Sequence, residues 1–465
     1  MVAVQELEDF AAQSDNDSVI TTGSTWAAIW HMSWPSLVQM LAIACASFTD
    51  MWVAGRLGSE IQAAIGVGGQ IWFFMIMLAV ALSAGATAIV SRYWGAGDIA
   101  KATEAARQSL VFGLIFGVVS ASLGFVLARP FFHLLGASPR VEQLGWDYMQ
   151  WDIWSQIPFT LLWITNSIFR AKGNARTPMA IWILMVTMTI TLDFVLCLNP
   201  LHLGIKGFGI AWDIAGAIGT SIALFILSKS EIGDCLNPKL LMQTGFDKEW
   251  IMRLLKIGIP ACIQDVAWVG GNFVLFLIFA QTKDPTSCQA AWAVGLRLEE
   301  MVAGLPIHAL SMAIGTIVGQ NLGAKQPERA EKAGWQVATI GCAFNLLCGI
   351  LMYFFAEQIA SKMTTDPNVV RDTTSYLKII GICEPFVAAW ITLFGAMQGA
   401  GYTNWPMWAS CFVLTCIRLP LAYYLTVQLA WGPSGTWFAM SSTAILIGLI
   451  AVWRFKTGVW KLQKV

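Results

Sequence analysis

Apolar residues run along this chain in about twelve stretches, each a little over 20 residues or longer: 28–52, 62–89, 105–130, 148–170, 178–200, 207–228, 251–281, 289–318, 334–356, 374–398, 404–429 and 434–455. A helix rising ~1.5 Å per residue crosses ~30 Å of hydrocarbon in about 20 residues, so each stretch can span a membrane. The runs are continuously apolar and lack the in–out alternation of a barrel strand, which predicts helices. The expected fold is all-α: a polytopic membrane protein of about twelve transmembrane helices.

The polar punctuation repeats. Gly95-Ala96-Gly97-Asp98 with Lys101-Ala102 has a counterpart 228 residues on in Gly323-Ala324-Lys325-Gln326 with Arg329-Ala330. Gly173 and Pro178-Met179 match Gly401 and Pro406-Met407 at the same offset, and Pro35 with Gln39 matches Pro260 with Gln264 at 225. Separate matches at one offset predict a duplicated half-molecule. The expected plan is an acidic disordered tail (1–25), a first six-helix lobe (26–228), a polar linker on the cytoplasmic side (229–249), and a second six-helix lobe with a short basic tail (250–465). Six helices return each half to its starting side, so the two pseudo-symmetric lobes form a parallel repeat, as in transporters that rock one half against the other. The stretches 98–106 and 326–334 are expected to lie as short amphipathic helices on the inner membrane surface.

Composition agrees with a bilayer. Of 465 residues 57% are hydrophobic and 12% charged, with mean hydropathy +0.63, too little charge to cover a soluble surface. Net charge is zero, so nucleic acid is not an expected partner. Lys and Arg favour the loops on the side of both termini, which places those termini in the cytoplasm of a cell membrane. Neither the ten cysteines nor the four histidines show ligand spacing, so no metal site, cofactor or catalytic residue is expected.

The most telling stretches are Ser47-Phe48-Thr49-Asp50-Met51-Trp52-Val53-Ala54-Gly55, Trp94-Gly95-Ala96-Gly97-Asp98 and Arg170-Ala171-Lys172-Gly173-Asn174 in the first half. Val318-Gly319-Gln320-Asn321-Leu322-Gly323-Ala324 and Gln398-Gly399-Ala400-Gly401 follow in the second. In these the chain resembles the multidrug and toxic compound extrusion (MATE) transporters over nearly its whole length. Gly295-Leu296-Arg297-Leu298-Glu299 and Glu384-Pro385 are most similar to the DNA-damage-inducible F-like prokaryotic branch. The resemblance implies two lobes around a central cavity and an antiporter that exports cationic or amphipathic organic compounds in exchange for H⁺ or Na⁺. A monomer in the lipid bilayer is expected.

A carboxylate at the bilayer centre costs at least ~2.5 kcal/mol, so acids inside apolar runs are candidates for function. In the first half these are Asp50, Asp193 and Asp213. Asp50 and Asp193 fall on what the resemblance makes an acidic pair for cation or proton coupling; Asp213 inherits no role from it. The plainer alternative is an aspartate hydrogen-bonded to backbone or hydroxyls. The family's Asn one turn before the fifth-helix Asp is Thr189 here, and Trp212 stands where a sixth-helix Thr is expected. Fewer neutral oxygens suit a hard cation poorly, which favours H⁺ over Na⁺.

In the second half, the positions of the acids of Na⁺-coupled relatives hold Trp268 and Val387, but Asp265 and Glu384 each lie three residues earlier. A displaced acidic site of Asp265 and Glu384, with Gln264 and Trp268 beside it, is expected for protons or a cationic substrate. Alternatively Glu384 pairs with Arg297 or Arg418, since a buried arginine requires a counter-charge. Arg297 with Glu299 or Glu300, and Arg418 beside Pro420, read as structural ion-pair candidates. The rivals are a lipid-linked precursor flippase of the same superfamily, which needs a more cationic cavity, and a major-facilitator importer, whose basic loop motif is missing. An intramembrane hydrolase needs a Ser/His or HExxH arrangement that the helices lack.

Overall fold

The structure, a computed structural model, describes residues 18–134, 138–198, 201–237, 239–240 and 247–464. Its long helical segments are α1 (Thr25–Leu57), α2 (Ser59–Gly95), α3 (Ile99–Leu134), α4 (Pro139–Lys172), α5 (Arg176–Leu198), α6 (Ile205–Ser228), α7 (Lys248–Phe279), α8 (Pro285–Gly323), α9 (Pro327–Phe354), α10 (Pro367–Gly399), α11 (Asn404–Gln428) and α12 (Pro433–Lys456). No strand occurs among the described residues. All but α4 are long and apolar enough to cross a membrane. The polarity of α4, which carries Arg140, Glu142, Asp147 and Asp152, has a packing cause. It lies against α2, α3 and α6, which bury Asp152, whereas Arg140 in its first turn is exposed.

The described residues form two compact units, residues 18–23 with 34–258, and residues 24–33 with 259–464. The expected halves differ from this at their first helices: the start of α1 groups with the second unit and the start of α7 with the first. The expected tail 1–25 is described only from residue 18, where Ser18–Thr21 form a helical turn with Ile20 buried. Of the linker, Gly233–Leu236 form a 3₁₀ turn with Cys235 buried, whereas 238 and 241–246 lie outside the described residues.

The repeat is visible in the turns. Gly173 ends α4 with φ 101°, and Gly401 follows α10 with φ 78°, a left-handed conformation that costs an L-residue about 1–2 kcal/mol. After the first turn the chain restarts through Asn174, whose Oδ1 accepts from the Thr177 amide at 3.0 Å and whose Nδ2 donates to the Thr177 hydroxyl at 2.9 Å. The Gly97 turn (φ 73°) has its counterpart at Lys325 (φ 59°). Asp98 then caps α3, accepting from the Lys101 amide at 3.1 Å and from its ammonium at 2.8 Å. The Lys101 side chain holds the Asp98 carboxyl below the usual carboxylate range. With Asp98 capping the first, Pro327 opening the second and no break behind either, 98–106 and 326–334 run straight into α3 and α9. They form no separate surface helices, contrary to expectation.

Lipid-type surfaces are plain. On α3, Leu114, Ile115, Val118, Val119, Leu123, Val126 and Leu127 are all exposed, a stripe that water would not tolerate. Inside the second unit, backbones touch. A Cβ on Gly349 of α9 would sit 2.1 Å from the Gly381 carbonyl oxygen of α10, the small-residue contact by which membrane helices pack. Prolines inside α1, α3, α4, α7 and α10 (Pro35, Pro130, Pro158, Pro260 and Pro385) remove a helical donor each. Pro306 and Pro420 follow the π turns Glu300–Gly304 and Phe412–Arg418.

Gly173→Ala and Gly401→Ala should each cost about 1–2 kcal/mol. Gly349→Leu should cost more, because two backbones must separate. Thermal unfolding of the purified variants in detergent checks both expectations.

Candidate functional site

In the first unit, α5 changes at Asp193 from α-helical to π-helical geometry, which continues to Leu198. Such π turns widen the backbone and recur at functional sites. Asp193 is fully buried, and its carboxyl lies within hydrogen-bonding reach of the half-buried Asp50 of α1. Asp50 Oδ2 accepts from the Trp212 indole Nε1–H at 3.0 Å. That indole is aimed by its packing, with ring centroids 6.5 Å from Trp72 and 5.6 Å from Phe159. Thr189, one turn before Asp193, is fully buried, and its hydroxyl finds no partner.

Two further groups complete the cluster. Asp213, next to Trp212 on α6, is half-buried. Asp152 of α4 is 1% exposed and lies within electrostatic range of Tyr148, Asp213 and Asp50. The structure places Asp50 near Asp193, and Asp152 within electrostatic range of Asp50, Asp213 and Tyr148, whereas Thr189 makes no bond to any of them among the described residues. Asp152 carried the same signal as Asp50, an acid inside an apolar run, but Tyr148 carried none. Among the described residues no Lys or Arg forms an ion pair with these four aspartates. Asp50 Oδ1, Asp152 Oδ2 and both Asp193 oxygens lack a hydrogen-bond donor.

The second unit departs from expectation. Asp265 is half-buried on α7, and no interaction among the described residues joins it to Glu384. Gln264 instead accepts from Gln398 at 3.3 Å, and Trp268 is half-buried. The cause is direction: the two acids are equally displaced in sequence, but they project from different helices into different surroundings. Glu384 of α10, fully buried, accepts from Asn345 Nδ2 of α9 at 2.7 Å. It is electrostatically coupled to Glu299 of α8, whose carboxylate accepts from the Tyr376 hydroxyl.

The structural ion pairs are also corrected. Arg297 and Glu300 are exposed and form no ion pair among the described residues; they attract one another only at longer range. Arg418, 6% exposed, donates from Nε to the Thr443 hydroxyl at 2.9 Å and reaches Glu299 electrostatically without contact. Glu299 thus belongs to a buried polar cluster, with Asn345 and Tyr376 as members that no charge pattern could have revealed. No group of three or more His, Cys, Asp or Glu side chains is placed to hold a metal ion among the described residues.

Spanning helices in two units, each with buried carboxyls, define a polytopic membrane protein of the transporter class. The MatE family model matches it twice, over residues 35–195 and 260–424, and the chain belongs to this MATE transporter family. The double match restates the repeat read from the glycine turns. Similar sequences include a probable multidrug resistance protein NorM of Thermotoga maritima, 24% identical over 92% of this chain and 91% of its own. An FAD transporter of Shewanella oneidensis is 27% identical over 90% and 92%. The fold is similar to that of the Vibrio cholerae MATE transporter VcmN in its bent form, with TM-score 0.85, 22% identity and 98% of both chains covered. It also resembles an outward-facing multidrug resistance MATE transporter, with TM-score 0.88, 20% identity, and 97% of this chain and 100% of that one covered.

Trp212→Phe keeps the ring and removes the donor to Asp50. A double-mutant cycle of Trp212→Phe with Asp50→Leu should show a coupling of about 1 kcal/mol, read from thermal unfolding; additive effects would mean the indole does not hold Asp50.

Proposed function

We propose that the protein is a secondary antiporter that exports cationic or amphipathic organic compounds in exchange for H⁺, by alternating access, with both termini in the cytoplasm. The observation that supports this most is the Asp50–Asp193 contact inside an apolar helix bundle. Two carboxyl groups within hydrogen-bonding reach make a bond only if one carries the proton, because two carboxylates have acceptors and no donor. With Asp152 and Asp213 close by, the unit offers negative charge that either protons or an organic cation can neutralise, so loading one favours release of the other.

H⁺ is favoured over Na⁺ because the cluster has few neutral oxygens. Trp212, a donor, occupies Asp50 Oδ2, and Thr189 supplies a single hydroxyl. Hard cations require several oxygen ligands at once, whereas a proton requires one. The positive charge bias of the inner loops supports the orientation. The flippase alternative, and an anionic cargo such as the Shewanella relative's FAD, call for cationic side chains, where this unit gathers four aspartates.

Asp50→Asn and Asp193→Asn should each reduce export of a fluorescent organic cation from drug-hypersensitive cells at least tenfold, with membrane expression unchanged. In Na⁺-free proteoliposomes a pH gradient alone should drive wild-type transport. Dependence on a Na⁺ gradient would reverse the assignment of the coupling ion.

A further inference from the structure

Buried cations in the first unit differ in what answers their charge. Lys172 and Arg107 are each 4% exposed. Lys172 Nζ lies 3.9 Å from Glu231 and 4.8 Å from the Trp94 ring centroid, and Arg107 forms an ion pair with Glu104. Arg170, also 4% exposed, has neither arrangement. Among the described residues its side chain forms no ion pair and no hydrogen bond, and its Nη1 is buried without an acceptor. A place in the last turn of α4 offers little relief. The carbonyls of Phe169 and Arg170 already accept from the Asn174 and Gly173 amides, and a helix terminus offsets only a small part of the cost of an unpaired buried charge. A guanidinium does not shed its proton, so the counter-charge has to come from outside the chain.

The neighbouring side chains indicate its shape. Helical side chains lean towards the N-terminus of their helix, which carries the Arg170 head over the turns of Asn166 and Trp163. Positions 163, 166 and 170 share one face of α4. Asn166 is 0% exposed, with both Nδ2 and Oδ1 unpartnered, and the Trp163 indole Nε1 is buried without an acceptor. The Trp163 ring packs on α5, its centroid 5.6 Å from that of Trp182. This face thus presents three donors, one of them charged, and a single acceptor. Water can bond each of these atoms but brings no charge.

We propose that Trp163, Asn166 and Arg170 form an anion site that takes a singly protonated phosphate, free or at the end of an organic ester. Its unprotonated oxygens accept from Arg170 Nη1, Asn166 Nδ2 and Trp163 Nε1, and its one hydroxyl donates to Asn166 Oδ1. Sulfate has oxygens for the three donors but no hydrogen for the acceptor. The phosphodiester of an ordinary phospholipid lacks that hydrogen too. The site is separate from the aspartates: Asp152 lies 18 residues back along α4, about 27 Å at the helical rise. Its occupation neutralises Arg170 and stabilises the end of α4, and it does not depend on the antiport reading.

The test uses full-length protein, delipidated in detergent and free of phosphate. Added sodium phosphate should raise the thermal unfolding midpoint with the logarithm of its concentration. Sodium sulfate at matched ionic strength should need about tenfold more for the same shift, the factor one hydrogen bond supplies. Arg170→Met should lose the phosphate response and, with no charge left to answer, unfold in phosphate-free buffer no earlier than wild type. Asn166→Ala should bind phosphate at least about tenfold more weakly. Native mass spectra distinguish the sources. An adduct of inorganic phosphate that requires Arg170 marks a soluble ligand, whereas one of phosphatidic acid, taken from mixed vesicles with phosphatidylcholine, marks a lipid headgroup. A wild-type midpoint that phosphate raises no more than sulfate overturns the site, whether or not Arg170→Met folds. So does an equal phosphate response in wild type and Asn166→Ala.

Discussion

Charge is expensive in hydrocarbon, and the rest of the structure follows from how the chain meets that cost. Aspartates and glutamates remain inside the helix bundles only where protein replaces lipid around them. The most polar long helix, α4, is also the one wrapped by α2, α3 and α6, and it carries Asp152 and Tyr148 into the aspartate cluster. The exposed face along the middle of α3, by contrast, is dominated by Leu114, Ile115, Val118, Val119, Leu123, Val126 and Leu127. Segregating the two surfaces lets a chain with so few charged residues hold several of them at its centre.

Backbone irregularity and buried acids occur together. Asp193 opens one π turn, Glu299 precedes a second, and Arg418 closes a third. A π turn widens the helix by one residue and redirects the side chains on its far side. In α8 and α11 it also comes just before a proline, which has no N–H to return to the previous turn. Proline and widening together place each charged group where a regular helix would have turned it towards a different neighbour. The same irregularity gives these segments fewer fixed backbone bonds, as elements that must bend require.

The two halves share scaffold, not chemistry. Gly173 and Gly401 turn the chain in the same way, yet the residue 228 positions after Asp193 is Leu421, and the residue 228 before Glu384 is Gln156. Gln156 is fully buried and spends its amide on the Met75 carbonyl at 3.2 Å, a structural bond where the second half has an acid. Duplication preserved the turns because backbone geometry admits few residues there. Side chains in the bundle interior carry no such backbone constraint and differ between the halves.

Much of this was legible in the residues alone. Segment length and continuous hydropathy imply membrane helices, because the thickness of hydrocarbon sets both. Recurring glycines imply a repeat, because left-handed turns favour glycine over residues with a Cβ. Acids in apolar runs mark Asp50, Asp193 and Asp213 as candidates, because an acid in hydrocarbon is costly to keep. What sequence could not convey is which polar groups meet across helices. The pairing of Glu384 with Asn345 rather than with Asp265, the separation of Arg418 from any carboxylate, and the arrival of Asp152 beside Asp213 depend on helix rotation and on π turns. Those are settled by packing among segments far apart in the chain, where no local periodicity records them.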